Sequence, residues 1–161
     1  MKIGLMSDTH DNLDAAEAAV EFFNSEGVEH VLHAGDLISP FTAVKFEDLD
    51  AEFHYVWGNN DGDRRHVRSS LESFGVEPAD FQSVKIDGRR IALLHGTDQE
   101  IVDALAESPK YDAVVRGHTH EEEINEDPLV VNPGASSGYL SGRRTVAILE
   151  TETMEVEIRE I

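Results

Sequence analysis

Aspartate, histidine and asparagine recur along the chain in short groups able to bind metal: Asp8-Thr9-His10, Gly35-Asp36, Gly58-Asn59-Asn60-Asp61, His95-Gly96 and Gly117-His118-Thr119-His120. Imidazole nitrogens mixed with carboxylate and carboxamide oxygens suit borderline divalent ions such as Mn²⁺, Fe²⁺, Ni²⁺ or Zn²⁺ better than Ca²⁺ or Mg²⁺, which prefer oxygen alone. Cysteine is absent, so disulfides, thiolate clusters and a Cys nucleophile are excluded, and any metal must rest on these donors. Gly117-His118-Thr119-His120 is the strongest single group, because two imidazoles two residues apart in a turn gain much from a shared cation. Taken alone the others are weak. Asp-x-His is more often a turn with a helix cap, and Gly-Asp is commoner still.

Each group follows a segment that reads as a strand. Lys2 to Met6 is a short buried strand; Asn12 or Asp11 then caps a helix with Leu13, Ala16, Val20 and Phe23 on its apolar face, ending at Gly27. The unit repeats as strand Val28 to Leu32, loop His33 to Ser39 and a helix with Ser39 as cap and Pro40 in its first turn. A third runs from strand Phe53 to Trp57 into a helix ending near Gly75. Three βα units in succession predict a parallel sheet with right-handed crossovers.

Beyond these the pattern changes. Phe81 to Ile86 and Arg89 to Leu94 flank Asp87-Gly88, a strong hairpin turn signal. Asp98 to Glu107 reads as a helix, Asp112 to Val115 and Leu129 to Asn132 as short strands, and Arg144 to Glu150 with Met154 to Ile161 as a closing hairpin. With no repeat or linker, the 161 residues are expected to form one α/β domain, 1–161, of two packed mixed β-sheets flanked by helices: a four-layer α/β/β/α sandwich. Ligand sites in α/β sheets form at the C-terminal ends of strands, so the loops carrying the candidate ligands can share one pocket.

Composition narrows the partners. A net charge of -20, from 33 Asp and Glu against 13 Lys and Arg, repels nucleic acid and anionic lipid, so nonspecific nucleic-acid binding is not expected. The acidic residues are spread over the whole chain, a balance that resembles proteins of salt-loaded cytoplasms and suggests a halophilic source. Met1 to Met6 is followed at once by polar residues, leaving no room for a signal-peptide core, and no apolar run approaches membrane-spanning length. A cytoplasmic protein without membrane contact is expected.

The ordered set is more specific than its parts. Asp-x-His, Gly-Asp, Gly-Asn-x-Asp, His-Gly and Gly-His-x-His, in this order from residue 3 to about 138, resemble the signature of the calcineurin-like metallophosphoesterases, and the spacing and length look most like their small bacterial and archaeal phosphodiesterase branch. The resemblance implies one metal on Asp8, His10 and His120, a second on Asn59, His95 and His118, and Asp36 bridging both. It also implies that Asp36, Asn59, Asn60 and His118 serve catalysis. Two divalent cations, Mn²⁺ first among them with Ni²⁺, Fe²⁺ or Zn²⁺ as alternatives, would stand roughly 3.5 to 4 Å apart and activate a bridging water for in-line attack on phosphorus.

One position departs from the pattern. Most of the superfamily has Gly-Asn-His-Asp/Glu where this chain has Gly58-Asn59-Asn60-Asp61, and an amide donates a hydrogen bond but not a proton. The small phosphodiesterase branch commonly lacks this His too, so the expected substrate is a small, activated or cyclic phosphodiester. The alternatives are a phosphomonoesterase of the same fold and a non-catalytic scaffold, as in the related retromer subunit, whose lineage has lost some of the ligands that are all present here. A nuclease is disfavoured by charge and by the lack of an aromatic and basic groove. Small relatives suggest a homo-dimer or homo-tetramer.

Neighbouring polar residues have simpler readings. His33 either orients a ligand or is a core histidine; His30, His54 and His66 read as surface or packing residues. Asp61 braces its loop or caps the next helix, and Asn132-Pro133-Gly134 resembles the family's late Asn-Pro-Gly turn, which implies a role in supporting the ligand loops. Arg64, Arg65, Arg143 and Arg144 are left outside the site.

Overall fold

The computed structural model describes all 161 residues. Its strands are β1 Lys2–Met6, β2 His30–His33, β3 Glu52–Tyr55, β4 Phe81–Ile86, β5 Arg89–Leu94, β6 Ala113–Val115, β7 Glu122–Glu126, β8 Leu129–Pro133, β9 Thr145–Glu150 and β10 Val156–Glu160. The helices are α1 Leu13–Glu26, α2 Pro40–Ala43, α3 Arg64–Ser73 and α4 Gln99–Ala106, with a 3₁₀ turn at Val44–Asp48. One five-stranded sheet has the order β10-β9-β1-β2-β3, and the other β4-β5-β6-β8-β7. In the first, β1, β2 and β3 are parallel; in the second, β5, β6 and β8 are. The remaining strands pair antiparallel, so both sheets are mixed.

Alternation along the central strands builds the layers. Ile3 and Leu5 of β1 and Leu32 of β2 enter an apolar layer between the two sheets, meeting Val84, Ile91 and Leu93. The other face of the first sheet presents Met6, Val31, Phe53 and Tyr55 to Ala16, Val20 and Phe23 of α1 and to Val67 and Leu71 of α3. Val102 of α4 covers Ala92, Val114 and Val130 on the outside of the second sheet. Each fully buried large side chain contributes roughly 1.5–3 kcal/mol through burial. These three cores separate four layers, the α/β/β/α sandwich expected from the sequence.

Helix ends follow their capping chemistry with some departures. Asn12 Oδ1 accepts from Ala15 N, and Gly27 closes α1 in the left-handed conformation at φ 64°. Leu13 does not join the apolar face; it is 38% exposed, and Ala15 and Ala19 are buried beside the expected Ala16, Val20 and Phe23. Ser39 makes no side-chain cap to α2, because its hydroxyl is taken by Asp11 Oδ1 at 2.6 Å, and the predicted helix is a single turn that tightens into the 3₁₀ segment. Asp63, not Asp61, caps α3.

Strand β2 begins at His30 rather than Val28. Strand β7 had no signal in the sequence: Glu122, Glu123, Asn125 and Glu126 surround one apolar residue, and the segment is a strand only because β8 offers it a free edge.

Candidate functional site

The loops following β1, β2, β3, β5 and β6 meet at one end of the sandwich. Asp8 N donates to Gly35 O at 3.0 Å, His10 N to Asp36 O at 3.0 Å, Gly117 N to His95 O at 3.1 Å, and the His95 ring to Ala34 O at 2.7 Å. Asp8, His10, Asp36, His118 and His120 all have positive φ, between 45° and 73°. Non-glycine residues adopt this conformation at a cost and usually where the surroundings enforce it for function. Five of the seven predicted ligands therefore sit on strained backbone that turns their side chains inward.

On one side lie Asp8, His10 and His120. Asp8 is fully buried; its Oδ2 accepts from Ser7 Oγ at 2.6 Å and His118 N at 3.1 Å, while its Oδ1 has no hydrogen-bond partner. That bare oxygen faces His120 Nε2 at 3.3 Å and His10 Nε2 at 3.6 Å, and the two imidazoles approach to 3.1 Å. Burial would raise the Asp8 pKa, but the imidazoles of His10 and His120 and the Ser7 hydroxyl outweigh it and hold the carboxyl well below the usual range. The Asp8 carboxylate beside it raises the His120 pKa.

On the other side lie Asn59, His95 and His118. The His95 Nδ1 proton is committed to the Ala34 carbonyl, which leaves Nε2 facing Asn59 Oδ1 at 2.8 Å and Asp36 Oδ2 at 3.3 Å. His118 Nδ1 lies 3.0 Å from the same Asn59 oxygen. A neutral ring thus points a lone pair at two acceptor oxygens, an arrangement that calls for a proton or a cation between them. Burial lowers the His95 pKa and Asp36 more than reverses it, so it stands above the ordinary value. His118 is lowered, by burial and by neighbouring His95.

Asp36 joins the halves. Its Oδ2 is 3.3 Å from His95 Nε2 and 3.5 Å from His10 Nε2. Burial pushes its pKa up, but His95 and Asn60 bring it below the usual value. All seven predicted ligands converge in one place, and the orphaned Asp8 Oδ1, with imidazole nitrogens and carboxylate and carboxamide oxygens gathered around it, makes the donor set fit divalent cations.

The sequence profile of the calcineurin-like phosphoesterase superfamily domain matches residues 1–154. The chain belongs to that superfamily. It is 45% identical over 159 residues to a phosphodiesterase of Methanocaldococcus jannaschii, with 96% of each chain covered. Its fold superposes on a solved archaeal phosphodiesterase with a TM-score of 0.94 at 42% identity, over the whole of both chains. Vacuolar protein sorting 29 from Cryptosporidium parvum, at 20% identity, a TM-score of 0.68, and 99% and 97% coverage, shares the fold. As a calcineurin-like phosphoesterase, the chain is a hydrolase of phosphoric esters.

Several residues that hold this phosphoesterase site together were not legible beforehand. Ser7 fixes Asp8, and Ser136 and Ser137 donate their backbone N–H to Ser7 O at 2.9 Å and Asp8 O at 3.2 Å. Arg116 is buried and ties two ligand loops, donating to Gly96 O at 3.2 Å, Gly117 O at 3.3 Å and Gln99 Oε1 at 2.6 Å. Ser136 and Ser137 lie 129 residues from their partners in sequence, so no local signal marks them; an arginine directly after the apolar run of β6 was the one available hint for Arg116.

Other neighbours resolve the alternatives left open. His33 is wholly buried, accepts from Gly35 N at 3.1 Å and bonds Thr9 Oγ1 at 2.8 Å, so it braces the loops from the core. Asp61 braces its loop, accepting from Gly58 N at 2.6 Å, Ile38 N at 2.8 Å and the Tyr55 hydroxyl. Asn132 supports the ligand loop by donating to Gly117 O at 3.0 Å and Thr119 Oγ1 at 2.9 Å.

Of the glycines beside the candidate ligands, Gly35 and Gly96 turn the chain at φ 97° and 82°, whereas Gly58 and Gly117 serve space. A Cβ on Gly117 would lie 1.8 Å from Ser7 Oγ and 2.7 Å from Asp8 Oδ2, and one on Gly58 would lie 2.1 Å from Asp36 Oδ1.

Proposed function

We propose that the chain is a phosphodiesterase that hydrolyses small phosphodiesters with two divalent cations, Mn²⁺ first among them with Ni²⁺, Fe²⁺ or Zn²⁺ as alternatives. The observation that carries this reading is the single oxygen Asp36 Oδ2 placed within 3.5 Å of imidazoles from both donor sets. Asp8, His10 and His120 would hold one cation, Asn59, His95 and His118 the other, and Asp36 would serve both. Bound there, the pair would supply Lewis acidity, lowering the pKa of water so that hydroxide is available near neutral pH and offsetting charge on the phosphoryl oxygens.

The remaining roles belong to the protein. Ser7 and His118 N hold Asp8 Oδ2 so that Oδ1 points inward, and Ala34 O fixes the His95 tautomer with Nε2 free. Asn60 holds Asp36, exposed Asn59 presents its oxygen between two imidazoles, and half-exposed His118 lies beside it at the mouth of the site, where a phosphate oxygen would arrive. No acid stands at position 60 to protonate a leaving group, which favours diesters whose leaving group departs as an anion. A cleft of about 510 Å³, walled by Trp57, Phe81, Ile101 and Tyr111, opens beside Asn59 and His95. It offers an organic substituent a place beside the phosphate. The similarity to proteins named phosphodiesterases supports the same class.

The test strips the protein of metal, restores Mn²⁺ or Ni²⁺ in high salt, and compares bis-p-nitrophenyl phosphate with p-nitrophenyl phosphate for wild type and Asp36→Ala. The diester should turn over at least about tenfold faster than the monoester, only with metal, and not in the variant. Preference for the monoester would replace this reading with a phosphomonoesterase; no turnover of either would replace it with a scaffold.

A further inference from the structure

A second group of metal-ligating side chains lies at the opposite ends of the strands. His30 opens β2 and Glu52 opens β3, and the two are direct partners in the parallel register; His54 follows two residues after Glu52 and so projects from the same face. That face is the inter-sheet one, since Leu32, the partner of His54, belongs to the apolar layer between the sheets. Both imidazoles are largely covered, with side chains 19% and 15% exposed, whereas Glu52 is 66% exposed.

The distances are those of a coordination polyhedron. His30 Nδ1 and His54 Nε2 are 3.3 Å apart, Glu52 Oε1 is 3.4 Å from His54 Nε2, and Glu52 Oε2 is 3.6 Å from His30 Nδ1. Tetrahedral zinc with bonds of about 2.0–2.1 Å has ligand-to-ligand edges of about 3.3 Å. The Asp8, His10 and His120 set shows the same spread, 3.1 to 3.6 Å. The carboxylate contacts are longer than ordinary hydrogen bonds. An exposed edge-strand glutamate nevertheless turns both oxygens back onto two rings that face each other.

We propose that His30, Glu52 and His54 form a further divalent transition-metal site, of the Zn²⁺ or Ni²⁺ class, separate from the catalytic pair. Two imidazoles and one carboxylate fill three positions and leave the fourth to water at the solvent side. The cation clamps edge strand β3 to β2, and the net charge of -20 favours its capture. This site is independent of the proposed catalytic reading.

The experiment loads metal-stripped wild type and His30→Gln/His54→Gln with Zn²⁺, removes free ion by gel filtration, and counts zinc per chain by atomic emission. Wild type should carry one more zinc per chain than the double variant, while Mn²⁺-supported diester turnover agrees within about twofold. Equal zinc in the two proteins overturns the proposal. Glu52→Gln, altered at an exposed side chain, decides the matter if the double variant does not fold. Its weakest zinc should bind at least about tenfold less tightly than in wild type, with an unchanged circular dichroism spectrum, and equal affinity overturns the site. The readout is a difference in metal content, so an inactive catalytic centre leaves it intact.

Discussion

Asn60 grips Asp36 twice: its backbone N–H donates to Oδ1 at 2.7 Å and its side-chain amide to Oδ2 at 2.7 Å. The residue that stands where most of the superfamily has histidine is therefore an orienter of the carboxylate shared by both donor sets. An amide there has no proton to give, and it fixes the central carboxylate instead.

Asn60→Ala keeps the backbone bond and loses the one to Oδ2. Partners that orient metal ligands typically control affinity by about 10- to 100-fold. Mn²⁺ titration by calorimetry should show a loss in that range, with thermal stability of the metal-free protein nearly unchanged. Wild-type affinity would remove Asn60 from the orienting role.

Asp61 gathers the N–H groups of Gly58 and Ile38 and the Tyr55 hydroxyl, whose pKa burial and the adjacent carboxylate push well upward. Asp61→Ala strands these buried donors at about 1–3 kcal/mol each. Urea unfolding should register a loss of about 3 to 5 kcal/mol, far more than Asp63→Ala, which removes an exposed helix cap and its contact with the His66 ring.

Gly117→Ala changes no ligand, yet its methyl would collide with Ser7 Oγ and Asp8 Oδ2. Relief requires Asp8 to move, so metal binding at the Asp8, His10 and His120 set should weaken by more than about tenfold. Metal content after dialysis reads this out. Full occupancy would mean the loop shifts freely, contrary to the strained backbone observed there.

His33 gives the metal-free protein an acid sensitivity. Its Nδ1 accepts from Gly35 N, so protonation would oppose two donors, and burial pushes its pKa down from 6.5 to about 3. Between those values the unfolded chain takes up a proton that the folded chain refuses, and stability falls as pH falls from 6.5 towards 3. From pH 7 to pH 5 the loss from this group is about 2 kcal/mol. Denaturant midpoints at the two pH values should show a slope smaller by that amount in His33→Gln; an equal slope would place the titration elsewhere.

The sequence by itself determined which side chains offer donors suited to a metal and in what order they occur, because that information is local. Strand-then-loop units put Asp8, Asp36, Asn59, His95 and His118 at strand ends, and Asp87-Gly88 alone sufficed to mark the β4–β5 hairpin. Periodicity and turn chemistry are short-range, so they survive in the linear chain. Tertiary structure decided the rest. Which oxygen of Asp36 faces both sets, which oxygen of Asp8 is left bare, and which nitrogen of His95 is free depend on Asn60, Ser7 and Ala34, held there by loops from different strands. Positive φ at five of the candidate ligands has no sequence signature, since it is enforced by surrounding bonds such as His10 N to Asp36 O. Strand β7 and the pairing of His30 with Glu52 likewise exist only through strand register. A linear chain states what each side chain can donate, while the direction in which it donates is fixed by contacts between residues far apart in sequence.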